Sequence, residues 1–69
     1  MIVYVNGDPV RVEEGTTVAA ILDGLDVAAP RRGIAVAVDA QVVPRAEWDE
    51  HPVPDGARVE LLAAIQGGA

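Results

Sequence analysis

Apolar residues recur along this chain with two periods, and the switches between them mark out the elements. Ile2-Val3-Tyr4-Val5 is a β-branched and aromatic run that predicts a strand. Asn6-Gly7-Asp8-Pro9 breaks it, and Asn-Gly is a strong hairpin signal because both residues accept positive φ. Val10-Arg11-Val12-Glu13 then alternates apolar and polar, as a half-buried partner strand does. After Glu14-Gly15, Thr16 or Thr17 can cap a helix. Val18, Ile21, Leu22 and Leu25 follow at i, i+3, i+4 and i+7, which places all four on one helix face. The helix is predicted to end near Gly24 to Asp26, and Val27 to Gly33, with Pro30 inside it, reads as a loop.

The second half returns to the strand period. Ile34-Ala35-Val36-Ala37-Val38 is a continuous small-apolar run, expected to be a strand buried on both faces. Asp39-Ala40 turns the chain into Gln41-Val42-Val43, which Pro44 stops. Arg45 to Trp48 fits one helical turn, and Pro52, Pro54 and Asp55-Gly56 mark loop and turn. The last strand is predicted over Arg58 to Ile65, with Val59 and Leu61 on one face and Glu60 and Leu62 on the other. The order β-β-α-β-β-β describes a two-layer α+β domain in which the first and last strands can lie side by side. That arrangement is the β-grasp, or ubiquitin-like, fold: one mixed sheet of four to five strands covered by one helix. Residues 1–65 form the domain on this reading, and residues 66–69, Gln66-Gly67-Gly68-Ala69, form a flexible tail with nothing to pack.

Composition narrows what such a domain can do. The 69 residues hold five basic and eleven acidic side chains, for a net charge of −6, and every basic residue is Arg. So acidic a chain is a poor nucleic-acid binder, since phosphate contacts need clustered Lys and Arg, and Arg31-Arg32 is too short a patch. The absence of Cys removes disulfides, thiolate metal sites and thiol nucleophiles, and one His cannot build a metal site alone. No apolar run approaches the roughly 20 residues of a membrane span, and no basic-then-apolar leader precedes the first strand, so the cytosol is the expected compartment. A domain this small hardly encloses a ligand cleft, and no bound cofactor is expected. It is expected to act as a monomer that is bound by others, not as an enzyme.

The tail carries the chemistry. Three or four residues beyond Ile65 can project roughly 10–14 Å. Two glycines there let the peptide enter a channel that any Cβ would block. A terminal carboxylate is ionised at neutral pH. It can attack the α-phosphate of ATP to give a mixed anhydride, an acyl group that a sulfur nucleophile can displace.

Gly33-Ile-Ala-Val-Ala-Val-Asp-Ala-Gln-Val-Val-Pro-Arg-Ala-Glu-Trp48 and Asp55-Gly-Ala-Arg-Val-Glu-Leu-Leu-Ala-Ala-Ile-Gln-Gly-Gly68 resemble the sulfur carriers of thiamine biosynthesis, the ThiS family. The opening Val-Asn-Gly and the Glu-Gly-Thr-Thr-Val before the helix match as well, so the resemblance spans essentially the whole chain. Val-Val-Pro-Arg followed by Trp is its most specific part, whereas the Gly-Gly tail is shared by all ubiquitin-like sulfur carriers. The resemblance implies an E1-like adenylating enzyme that activates the carboxylate of Gly68 with ATP. It implies a desulfurase or sulfurtransferase that supplies sulfur originating from cysteine, and a thiazole synthase that consumes the resulting thiocarboxylate. Gly68 would be the reacting residue, with Gln66 and Gly67 giving access.

Two positions depart from that pattern. The family ends at the second glycine, but here Ala69 follows and ties the Gly68 carboxyl into an amide. Ala69 is then an added residue, or is removed by a protease, or is itself the reacting terminus. The last requires a methyl group in a glycine-sized channel. Asp39 stands where the family often has Asn, and both suit a turn. Three other readings stay open: the small subunit of molybdopterin synthase, a carrier for another sulfur pathway whose tail is trimmed, and a ubiquitin-like interaction module without tail chemistry. Tyr4 and Leu62 are expected on the open face of the sheet as a partner-binding surface. His51 reads as a solvated loop residue, and Trp48 as a cap over the edge of the core. Pro44 and Arg45 shape a turn, with Glu47 or Asp49 as surface partners for Arg45. Glu47, Asp49, Glu50 and Asp55 are either a solubilising surface or a steering field for a basic groove.

Overall fold

The computed structural model describes residues 1–25 and 33–63. Its elements are β1 (Ile2–Val5), β2 (Asp8–Arg11), α1 (Val18–Gly24), β3 (Ile34–Val38), β4 (Gln41–Val43), a 3₁₀ turn (Arg45–Glu47) and β5 (Arg58–Ala63). One mixed sheet runs in the order β2-β1-β5-β3-β4, with β1 and β5 parallel at its centre and every other pairing antiparallel. The helix covers one face of the sheet, which is the β-grasp arrangement.

Both hairpins turn on two residues with positive φ. Asn6 and Gly7 stand at φ 50° and 90°, and Asp39 and Ala40 at 50° and 71°. Those values match the right-handed twist of the flanking strands. The first turn is tighter than the sequence pattern predicts, so β2 starts at Asp8 and not at Val10, and Pro9 lies opposite Tyr4 within the strand. Tyr4 sends its own N–H the other way, to the Ala57 carbonyl at 2.9 Å. Tyr4 and Pro9 therefore form a non-hydrogen-bonded pair, and the donor that proline lacks would have pointed outward from an edge strand. Past Arg11 the ladder continues through two 2.8 Å bonds between Met1 and Val12.

The helix begins where the Thr17 hydroxyl accepts the Ala20 N–H at 3.2 Å. The Val18 and Ala19 N–H groups donate to the carbonyls of His51 and Trp48, both at 3.0 Å. The loop after the 3₁₀ turn thus takes up backbone donors that a helix start leaves over. That loop is held in turn by the Val53 N–H on the Thr16 carbonyl at 2.9 Å, beside a bridge between Thr17 and Pro52. His51 is half-buried here and its carbonyl serves the helix, so it is more than a solvated loop residue.

Val18, Ile21 and Leu22 are buried under the sheet as the spacing predicts. Leu25 is not: it is the C-cap, 37 % exposed, because the helical path ends one residue before it and no longer carries it to the buried face. The core gathers Val3, Val5, Val18, Ile21, Leu22, Val36, Val38, Val43, Trp48, Val53, Ala57 and Val59. Val53 enters it from between two prolines, where no periodicity announces it. In β3, Val36, Ala37 and Val38 are buried and Ile34 and Ala35 half-buried; Ile34 shares the core face of Val36 and Val38 and packs against the core from the strand's start, while Ala35 and Ala37 stand on the open face. Trp48 lies deeper than a cap. It is 5 % exposed, its indole Nε1–H donates to the Val43 carbonyl at 2.8 Å, and the Arg45 guanidinium sits 5.1 Å from its ring centroid.

Candidate functional site

β5 is the element that leads to the Gly-Gly tail, and three elements hold it in place. On one side β3 pairs with it from Val38↔Val59 to Ile34↔Ala63. On the other side β1 pairs with it only at Tyr4↔Arg58 and Val5↔Val59 before the chain turns away. The two hairpin turns extend this hold at its ends. Asp39 donates its N–H to the Arg58 carbonyl at 2.8 Å and accepts the Arg58 N–H on Oδ1 at 2.9 Å. An Asn at this position offers the same acceptor, so the departure from the family's usual residue leaves the contact intact. At the far end Asn6 donates its N–H to Val59 and engages Leu61 through its side chain. Read from the sequence, Asn6 is only a turn residue. Its side-chain role has no signal in a hydrophobic pattern, because it depends on which strand lies beside the turn.

Of the candidate site residues, Gln66, Gly67 and Gly68 lie outside the described residues, as do Ile65 and the loop expected before Gly33. Tyr4 and Leu62 are described, and both stand on the open face, 43 % and 59 % exposed, while Val3, Val5 and Val59 are buried beneath. They do not meet. Tyr4 is level with Arg58, and Leu62 lies four residues further along β5, about 13 Å away at the strand rise. Arg58 and Glu60 occupy that same face between them, both exposed. Leu62 instead neighbours Ala35 in register, one row from the pair Ala37 and Val42. Val42 is 73 % exposed, and its alternation with the buried Val43 places it on this face. Two apolar groups therefore flank a charged centre: Ile2 and Tyr4 on β1, and Leu62 with Val42 toward β4.

A half-open depression of about 760 Å³ lies beside the first hairpin turn, lined by Tyr4, Asn6, Gly7, Gly56, Arg58, Val59 and Glu60. It is open to solvent and not an enclosed cleft, and it holds none of the usual nucleophile-and-base pairs. Glu47, Asp49, Glu50 and Asp55 are all exposed. Asp55 has a structural task, accepting the Ile2 N–H on Oδ1 at 3.2 Å. Among the described residues no helix is long and apolar enough to cross a membrane, and no three metal-ligating side chains converge.

Comparison with known proteins agrees with this geometry. The profile of the ThiS family matches residues 3–68, a span that reaches Gly68 and leaves out Ala69. The sulfur carrier protein ThiS of Escherichia coli is 35 % identical over 68 residues, covering 99 % of this chain and 100 % of that protein. The sulfur carrier protein ThiS of Thermus thermophilus is 35 % identical over 66 residues, covering 96 % and 98 %. A crystal structure of the thiamine biosynthesis protein ThiS from Geobacter metallireducens superposes with a TM-score of 0.84 at 34 % identity, covering 99 % of this chain and 100 % of that one.

Proposed function

This chain belongs to the ThiS family, and from that premise we propose that it carries sulfur for thiamine biosynthesis on the carboxyl group of Gly68. The observation that carries the reading is the whole-length match, which runs through both glycines of the tail. In the proposed cycle an E1-like enzyme binds the domain and a carboxylate oxygen of Gly68 attacks the α-phosphorus of ATP. Pyrophosphate leaves and an acyl-adenylate forms. A sulfur nucleophile then attacks the acyl carbon and AMP leaves. Where that nucleophile is a donor persulfide, a thiol reductant then cleaves the S–S bond of the acyl disulfide and is itself oxidised to a disulfide, so the chain ends in a thiocarboxylate, which a thiazole synthase draws on. ATP belongs to the activating partner, and the domain acts as a cosubstrate that is recognised and modified.

The division of labour follows from the architecture. The reacting atom sits at the end of a narrow peptide, so the activating site needs to admit only glycine-sized backbone. Recognition then falls to the folded domain, and the open face offers Tyr4 and Leu62 as anchors on either side of Arg58 and Glu60. The acidic surface at Glu47, Asp49 and Glu50 suits steering toward a basic partner, as a rate effect that added salt weakens.

Pyrophosphate release by the activating enzyme in the presence of ATP and this chain tests the reading. A chain cut after Gln66 should release none; full release from it would contradict the assignment to Gly68, and no release from a chain ending at Gly68 would leave the interaction-module reading. The docking surface has its own test. Leu62→Glu places a charge where an apolar anchor is buried on docking, and should raise the KM for the carrier by about tenfold or more with the fold intact. An unchanged KM would remove Leu62 from the interface.

A further inference from the structure

We infer that Asn6 is a positioning residue for the C-terminal tail: its side-chain amide takes the place of a missing strand residue and fixes the end of β5 from which the tail departs. The inference rests on the carrier reading of the tail and adds to it a residue that acts at a distance from the reacting atom.

The argument starts from what β5 lacks. Its parallel partner β1 supplies only Tyr4 and Val5 before the chain turns at Asn6-Gly7. Beyond Val59 the β1 side of β5 would be left with an unpaired N–H and carbonyl. Asn6 fills this gap in two ways. Its backbone N–H reaches the Val59 carbonyl at 2.9 Å. Its side-chain Oδ1 accepts the Leu61 N–H at 2.9 Å, and its Nδ2 donates to the Leu61 carbonyl at 3.4 Å. A primary amide presents one acceptor and donors in the same plane, as a peptide group does, so it can continue a ladder that the backbone has abandoned. The positive φ of Asn6 is what turns the side chain back toward β5 while the main chain leaves. Asn is well suited to both tasks: it tolerates that conformation and carries the donor and the acceptor.

Leu61 precedes Gly68 by seven residues. With the Asn6 clamp, β5 is held on both edges around Leu61, by the β3 ladder at Glu60 and Leu62 and by the amide on Leu61 itself. Without it, β3 alone sets the direction of the exit. Over the five residues from Ala63 to Gly68, about 17 Å when extended, roughly 10° of play at the root moves the tip by about 3 Å. A partner that threads the tail into a narrow channel would have to remove that play on docking. The cost appears in the concentration of carrier needed and not in the chemistry once the tail is seated.

The test compares Asn6→Gly and Asn6→Asp, each in the form of the chain that the activating enzyme accepts, with ATP and pyrophosphate release as readout. Asn6→Gly keeps a turn with positive φ and deletes the clamp. Its KM should rise by about tenfold with kcat within about twofold of the parent, the equivalent of re-ordering one freed backbone unit. Asn6→Asp keeps the acceptor for the Leu61 N–H and should recover most of that loss. Amide exchange at Leu61 should accelerate in Asn6→Gly while exchange at Glu60, which faces β3 opposite Ala37, stays close to the parent. An unchanged KM in Asn6→Gly, with the parent chain turning over normally, would overturn the inference and leave the carrier reading standing. So would a fall in kcat that tracks only the lost folded fraction. A parent chain that releases no pyrophosphate would remove the carrier reading, and this inference with it. Should Asn6→Gly fail to fold, Asn6→Ser, too short to reach Leu61, carries the same comparison.

Discussion

Ending the chain at Gly68 is expected to raise pyrophosphate release by the activating enzyme by about a hundredfold or more over the chain that ends at Ala69. The reason is local. With Ala69 present the Gly68 carbonyl is an amide, which has no anionic oxygen to attack phosphorus. The only competent carboxylate is then one residue further out, with a methyl group beside it. Seating that carboxylate at the activating site would mean shifting the tail by roughly one residue, about 3.5 Å, and a misplacement of even about 1 Å can cost a factor of roughly a hundred. The family match spans residues 3–68, which is consistent with the proposed reacting position. Rates are to be measured for the two chains side by side at saturating ATP. Equal rates would move the chemistry to Ala69 and show that the channel admits a side chain.

Trp48→Ala should lose about 3–5 kcal/mol of stability, the usual cost of emptying a buried aromatic site. A chain of 69 residues has only about 3–10 kcal/mol to lose. The variant should therefore sit near or beyond its unfolding midpoint at room temperature. Trp48 combines three contributions: its ring fills the core under the sheet, its Nε1–H satisfies the Val43 carbonyl, and its own carbonyl accepts the Ala19 N–H at the helix start. Alanine preserves only the last. Trp48→Phe refills most of the volume but deletes the indole bond to the Val43 carbonyl, which keeps its ladder partner Val36, for a loss of about 0.5–1.5 kcal/mol from that bond. The chain has no other Trp, so both variants lose tryptophan fluorescence and far-ultraviolet circular dichroism in urea is the suitable readout. A Trp48→Ala midpoint equal to the parent's would contradict the placement of this ring in the core.

The element order, a threonine cap at position 16 or 17, the Asp39-Ala40 turn, the Asn-Gly signal of the first hairpin and the side-by-side placing of the first and last strands are legible in the sequence, from spacing, turn chemistry and the order of elements. Three features are not, for one shared reason. Pro9 enters a strand because that strand is an edge, Val53 is buried because the loop folds across the helix start, and Asn6 clamps Leu61 because β5 runs beside the turn. Each depends on a neighbour distant in sequence. The open face is half legible. Alternation places Tyr4 and Leu62 outward correctly, but only strand register shows that Arg58 and Glu60 separate them. For the tail the situation is reversed. Gly67 and Gly68 are singled out by residue type and position alone, since their suitability lies in what they lack.

The central claim is that this chain bears sulfur on Gly68, and the intact mass of the protein isolated from its own host tests it most directly. The account predicts a species ending at Gly68 with one oxygen of its terminal carboxylate replaced by sulfur. An unmodified chain running through Ala69, unchanged when the activating enzyme, ATP and a sulfur donor are supplied, would contradict it.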